Sequence, residues 1–203
     1  MAKATFLALG DSYTIGEGVE EADRWPVQLV ARLGELGIAV EAPRIVATTG
    51  WTTDELSAAM DAATLGDRYD LVTLLIGVNN QYRGRPADEY RQPFLALLRR
   101  AVALAGDPRR VVVVSIPDWG VTAFAEGRDR AAIARDIDAF NAIAREETIR
   151  MHARWGDVTP ASREAGAKPD MLVDDGLHPS GKQYAAWLKA ILPEARAAVA
   201  LPL

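Results

Sequence analysis

Four separated points of the chain carry groups that could act together: Ser12, Gly50, Asn79 and the pair Asp175 and His178. A serine hydroxyl needs a general base to become a nucleophile, and an oxyanion at an acyl carbon needs preorganised donors. His178 could be that base. Asp175 stands three residues before it, and Gly176 and Pro179 bracket a turn that could present both side chains. A carboxylate on one imidazole nitrogen fixes the tautomer and leaves the other nitrogen free to take a proton. Gly50, lacking a side chain, lets its N–H approach a ligand, and Asn79 brings an uncharged amide donor. Each group also has a plainer reading. Ser12 after Gly10-Asp11 suits a helix cap, Gly50 an ordinary strand-to-helix turn, and Asn79 a turn former. The D-x-x-H spacing equally describes a capping aspartate beside a solvated histidine. The other histidine, His152, ends a helical pattern between Arg150 and Arg154, a surface or capping position.

These residues need a frame that brings them together. Apolar runs at 4–9, 71–76 and 111–116 have strand length and little alternation, as a sheet covered on both faces requires. A weaker run at 39–47 contains Pro43, which pushes it towards an edge or a bulge, and 154–158 reads as a short fifth strand. Helical periodicity occupies 25–36, 88–105, 128–153 and 180–200, with Ser180 as the N-cap of the last. Strand and helix alternate, so the expectation is an α/β fold with a parallel sheet, helices on both faces, and a single domain over 1–203. In such sheets ligands bind outside the carboxyl ends of the strands, where Gly10-Asp11-Ser12-Tyr13 and Gly77-Val78-Asn79-Asn80 fall.

Composition removes other chemistries. The 203 residues include no cysteine, which excludes disulfides, zinc ribbons, iron–sulfur ligation and a thiol nucleophile. A net charge of -5 gives no electrostatic reason to expect nucleic acid. The sequence has no G-x-S-x-G elbow, no phosphate loop and no complete G-x-G-x-x-G. Two histidines in separate contexts make no metal site, and the acidic pairs lack calcium-loop spacing. The pairs Arg99-Arg100 and Arg109-Arg110 read as solvated helix-end charges. No run of 18 apolar residues is free of charge, and the first residues lack a signal-peptide pattern, so the expected location is cytoplasmic.

Taken together, Gly10-Asp11-Ser12, Gly50, Gly77-x-Asn79 and Asp175-x-x-His178 resemble the blocks of the SGNH hydrolases, the GDSL esterase and lipase superfamily, in order and over residues 10–179. The resemblance implies a flavodoxin-like three-layer α/β/α sandwich with about five parallel strands, and no cofactor. It makes Ser12 the nucleophile, His178 the base and Asp175 its orienting partner. The N–H groups of Ser12 and Gly50 and the amide of Asn79 become the oxyanion hole. Two positions depart from the family pattern: Asn80 replaces an acid, and Tyr13 takes the fourth place of G-D-S-L. Asp174 adjoins Asp175, but the family spacing selects Asp175.

The implied activity is hydrolysis of carboxylic esters through an acyl-enzyme, with thioesters and acetylated sugars among the family's substrates. No long apolar lid separates the motifs, which favours small or short-chain acyl esters. Asp11, Trp51, Tyr82 and Trp119 are expected at the substrate, with Phe124 on an aromatic rim and Arg83 and Arg85 placed to meet a polar or anionic portion. The competing reading is a flavodoxin-like domain that binds a small ligand without turnover.

Overall fold

A computed structural model of the chain describes residues 3–201. Among these, five strands form one parallel sheet: β1 (Phe6–Gly10), β2 (Arg44–Ala47), β3 (Leu71–Leu75), β4 (Val111–Val114) and β5 (Arg154–Gly156). The helices are α1 (Ser12–Ile15), α2 (Trp25–Glu35), α3 (Thr53–Ala62), α4 (Val78–Tyr82), α5 (Ala87–Ala105), α6 (Arg130–Arg150), α7 (Thr159–Ala165) and α8 (Gly181–Val199). Strands β1, β3 and β4 are buried along their whole length. Two helical layers cover them, with α2 packed on α8 and α5 packed on α3 and α6. This is the α/β sandwich that the continuous apolar runs demand. The four valines of β4 illustrate the local logic, since β-branched side chains fit a pleated surface packed on both sides.

The strand order is β2-β1-β3-β4-β5. The chain therefore moves one way from β1 to β2 and the other way from β3 onwards, which puts the reversal between β1 and β3. A crevice opens at the carboxyl ends of strands flanking such a reversal. Ser12 directly follows the end of β1 and Asn79 lies just beyond β3, so both stand at that crevice.

Several boundaries differ from the sequence expectation. Pro43 has no N–H to give a ladder, so the run at 39–47 splits into an isolated bridge between Ala4 and Val40 and a strand that begins only at Arg44. The fifth strand stops at Gly156. The helix expected at 128–153 begins at Arg130, because the Asp129 carboxylate caps the Ala132 N–H at 2.9 Å. The short helices α3, α4 and α7 lie outside the helical patterns of the sequence. Arg110 is not a solvated charge: it is 1% exposed, and its guanidinium donates to the Asp70 carboxylate at 3.2 Å and the Leu201 carbonyl at 2.9 Å. Arg100 likewise reaches Ser57 and Asp61 on α3. No helix among the described residues is long and apolar enough to cross a membrane.

Candidate active site

At the end of β1 the chain turns directly into α1. Asp11 caps that short helix, its Oδ1 accepting from the Tyr13 N–H at 3.1 Å. The Asp11 side chain is fully buried (0% exposed), and burial pushes its carboxyl up to about 7 against the lowering effect of backbone hydrogen bonds. Asp11 thus faces the interior and does not line the cavity, where the sequence expectation puts it. Ser12, one residue on, opens onto the cavity. Its N–H has no hydrogen-bond acceptor among the described residues.

The loop after β2 carries Gly50 at φ +86°, a left-handed conformation that side chains disfavour. Its N–H also lacks an acceptor among the described residues. After β3, Gly77 turns at φ +127°, and a Cβ there would come within 2.8 Å of the Tyr90 ring. Helix α4 then presents Asn79 to the cavity. One N–H of the Asn79 amide donates to the Trp51 carbonyl at 2.9 Å, which leaves the second for a ligand. Trp51 contributes that carbonyl, while its side chain packs against the core and not into the cavity. Asn80, where the family pattern has an acid, is buried against the start of α3: its Oδ1 accepts from the Thr53 N–H at 3.1 Å and its Nδ2 donates to Thr53 Oγ1 at 2.8 Å. An aspartate there would have to accept from the Thr53 hydroxyl, reversing the second bond.

The segment before α8 folds back on itself. An antiparallel bridge joins Leu172 to Pro179, and the Val173 N–H donates to the His178 carbonyl at 2.9 Å. Within the turn, Asp175 Oδ1 accepts from the N–H groups of Leu177 (2.8 Å) and His178 (2.9 Å). Its Oδ2 lies 2.6 Å from His178 Nδ1. Burial pushes the Asp175 carboxyl up, but bonds to the His178 ring and to these N–H groups outweigh it and hold the group below its ordinary range. Asp175, rather than Asp174, therefore faces the imidazole as a carboxylate. His178 is 8% exposed, and the Tyr13 ring packs beside its imidazole at a centroid distance of 5.7 Å.

Ser12, Gly50, Asn79 and His178 meet in one cavity of about 170 Å3, whose other lining residues include Tyr13, Val78, Tyr82, Trp119, Phe124 and Leu177. The far wall is aromatic. Tyr82 and Trp119 meet edge to face at 5.4 Å, and Phe124 completes the group. The Arg128 guanidinium lies 5.0 to 5.5 Å from all three ring centroids. Nothing in the spacing shows that Arg128 approaches these rings or that Tyr13 packs beside the His178 ring. Arg83 and Arg85 do not reach into the cavity as expected. Arg85 pairs with Asp54 at 2.6 Å and, with Thr52, holds that carboxyl down to about 2. Arg83 donates to the Gly50 carbonyl at 2.6 Å and pairs with Glu55 at 3.2 Å.

Comparison with known proteins bears on the fold and the family. No curated protein matches the sequence significantly. Among solved structures, TesA superposes with a TM-score of 0.75 at 21% identity, over 96% of this chain and 99% of that one. A lipase/acylhydrolase from Enterococcus faecalis gives 0.73 at 18% identity, over 95% of each chain. An acetylxylan esterase from Geobacillus stearothermophilus gives 0.71 at 20% identity, over 95% of this chain and 94% of its own. At these identities the likeness speaks to the fold. The sequence match is more direct: residues 8–186 fit the GDSL-like Lipase/Acylhydrolase family, and the chain belongs to that family of ester hydrolases.

Proposed function

We propose that the protein is a serine esterase in which Ser12 attacks the ester carbonyl while His178 takes its proton. The observation that carries this reading is the convergence in one cavity of Ser12, a histidine held by a carboxylate, and backbone N–H groups left without acceptors. Asp175 fixes the imidazole with Nδ1–H towards its carboxylate, so the opposite nitrogen is the one that accepts the proton. As the carbonyl becomes tetrahedral, its oxygen takes hydrogen bonds from the N–H groups of Ser12 and Gly50 and from the free amide hydrogen of Asn79. His178 returns the proton to the departing alcohol. Water then enters, gives a proton to His178 and attacks the acyl-enzyme, releasing the acid and restoring Ser12.

Cavity size and lining support a small acyl group. A cavity of about 150 Å3 accommodates benzene, so about 170 Å3 suits an acyl group of roughly six or seven heavy atoms. Val78, Tyr82, Trp119, Phe124 and Leu177 make that space apolar, which favours short-chain or aryl acyl esters over long lipids. The test is a series of p-nitrophenyl esters from acetyl to dodecanoyl, with benzoyl included. Turnover efficiency is expected to peak among the short and benzoyl esters, and Ser12→Ala to abolish it throughout. A maximum at dodecanoyl contradicts the substrate reading, and hydrolysis that survives Ser12→Ala contradicts the mechanism.

A further inference from the structure

The loop that carries Gly50 is tied down at three successive residues. The Thr49 hydroxyl donates to the Glu17 carboxylate, the Gly50 carbonyl accepts from Arg83 Nη2 at 2.6 Å, and the Trp51 carbonyl accepts from Asn79 at 2.9 Å. The tip itself is unpacked. Around the position a Cβ of Gly50 would occupy, the only atom of a non-adjacent residue within 4 Å among the described residues is Arg83 Nη2, at 3.9 Å. A glycine at φ +86° without packing neighbours has wide backbone freedom, so its orientation depends on its hydrogen bonds.

We propose that Arg83 is a positioning residue: it clamps the peptide on the carbonyl side of Gly50 while the Thr49 anchor holds the chain on the other side, and the two together keep the Gly50 N–H directed at the acyl oxygen. The inference rests on the reading of Gly50 as an oxyanion donor. Two features of the surroundings support it. Arg83 directly follows α4, the helix that presents Asn79, so one short segment carries a donor of the hole and the clamp on another. Its guanidinium also pairs with Glu55, whose Oε2 in turn accepts from the Thr52 N–H at 2.8 Å at the start of α3. The fork of an arginine can serve a carbonyl and a carboxylate together, which fixes the side chain as well as the peptide it holds. Loops that arrive separately after β2 and β3 are thereby joined at the point where their donors must act together.

The clamp acts on the transition state, so its loss should lower kcat and leave KM alone. Removing an oxyanion donor outright costs about a hundredfold to a thousandfold, and loosening one should cost about tenfold. Arg83→Met, which keeps the stem and removes the donors, is expected to lower kcat for a short-chain ester about tenfold with KM within about twofold. An alkylboronic acid, whose tetrahedral adduct on Ser12 places an oxygen in the hole, should bind the variant about tenfold more weakly. Arg83→Lys keeps a donor within reach of the Gly50 carbonyl and should recover kcat to within about threefold of the parent. A serine-dependent parent enzyme whose Arg83→Met variant retains kcat overturns the clamp alone. A rise in KM at constant kcat overturns it in favour of direct substrate contact. Hydrolysis by the parent that is indifferent to Ser12→Ala removes the oxyanion reading and the clamp with it.

Discussion

At Asn79, which lines the cavity, the amide donates to the Trp51 carbonyl, and its second hydrogen is the one proposed for the oxyanion. Asn79→Ala removes both, and kcat is expected to fall about a hundredfold to a thousandfold in a steady-state ester assay. Unchanged turnover would take Asn79 out of the hole. Asp11 poses a different test. Its buried carboxyl is raised to about 7 in the folded protein, above the ordinary value it has when unfolded, so the native state holds the proton more tightly. Stability from this group is therefore full in acid and is lost as pH rises from about 4 to about 7. Asp11→Asn keeps a capping oxygen and should remove that slope, gaining on the parent by at most about 4 kcal/mol at pH 8 in urea unfolding. Parallel pH profiles for the two proteins would contradict the assignment. Residue type and spacing make Ser12, Gly50, Asn79, Asp175 and His178 stand out. They cannot show which way a neighbour points: Asp11 and Trp51 adjoin those residues in sequence, yet Asp11 turns into the interior and Trp51 gives the site only its carbonyl.

Elements were legible where burial dominates their composition. Strands β1, β3 and β4 are continuous apolar runs because helices cover both faces, and a pattern that strong survives without tertiary information. The short strand β2, with an exposed first residue and Pro43 just before it, has little such signal. Helix α3 was missed for a related reason: its start is specified by the Thr52 and Glu55 capping box and by Asn80 across the cleft, not by a long apolar stripe. The turns between elements are more demanding than their sequences suggest. Gly77→Ala combines a disfavoured φ of +127° with a clash against the Tyr90 ring, and is expected to cost about 2–5 kcal/mol in chemical denaturation. At Gly37, φ is +78° but none of the described residues beyond its neighbours lies within 4 Å of a Cβ, so Gly37→Ala should cost only about 1–2 kcal/mol. Equal costs at the two sites would show that contact with Tyr90 does not decide the identity of residue 77.

On the scale of the whole molecule, the reversal of strand order between β1 and β3 gathers residues 12, 50, 79 and 178 from across the sequence. That convergence follows from alternating strand and helix patterns plus the rule for parallel sheets, which is why the crevice could be anticipated. The aromatic wall with Arg128 above it, and the burial of Arg110 against Asp70, depend on packing between elements distant in sequence and leave no periodic trace. The proposed mechanism stands on the activation of Ser12 by this assembly. Its most direct test is intact-mass analysis after treatment with a fluorophosphonate, on the parent protein, Ser12→Ala and His178→Ala. One covalent adduct is expected on the parent, none on Ser12→Ala, and labelling slowed by at least about a hundredfold on His178→Ala. A folded parent that takes no adduct, or an adduct that persists in Ser12→Ala, would contradict it.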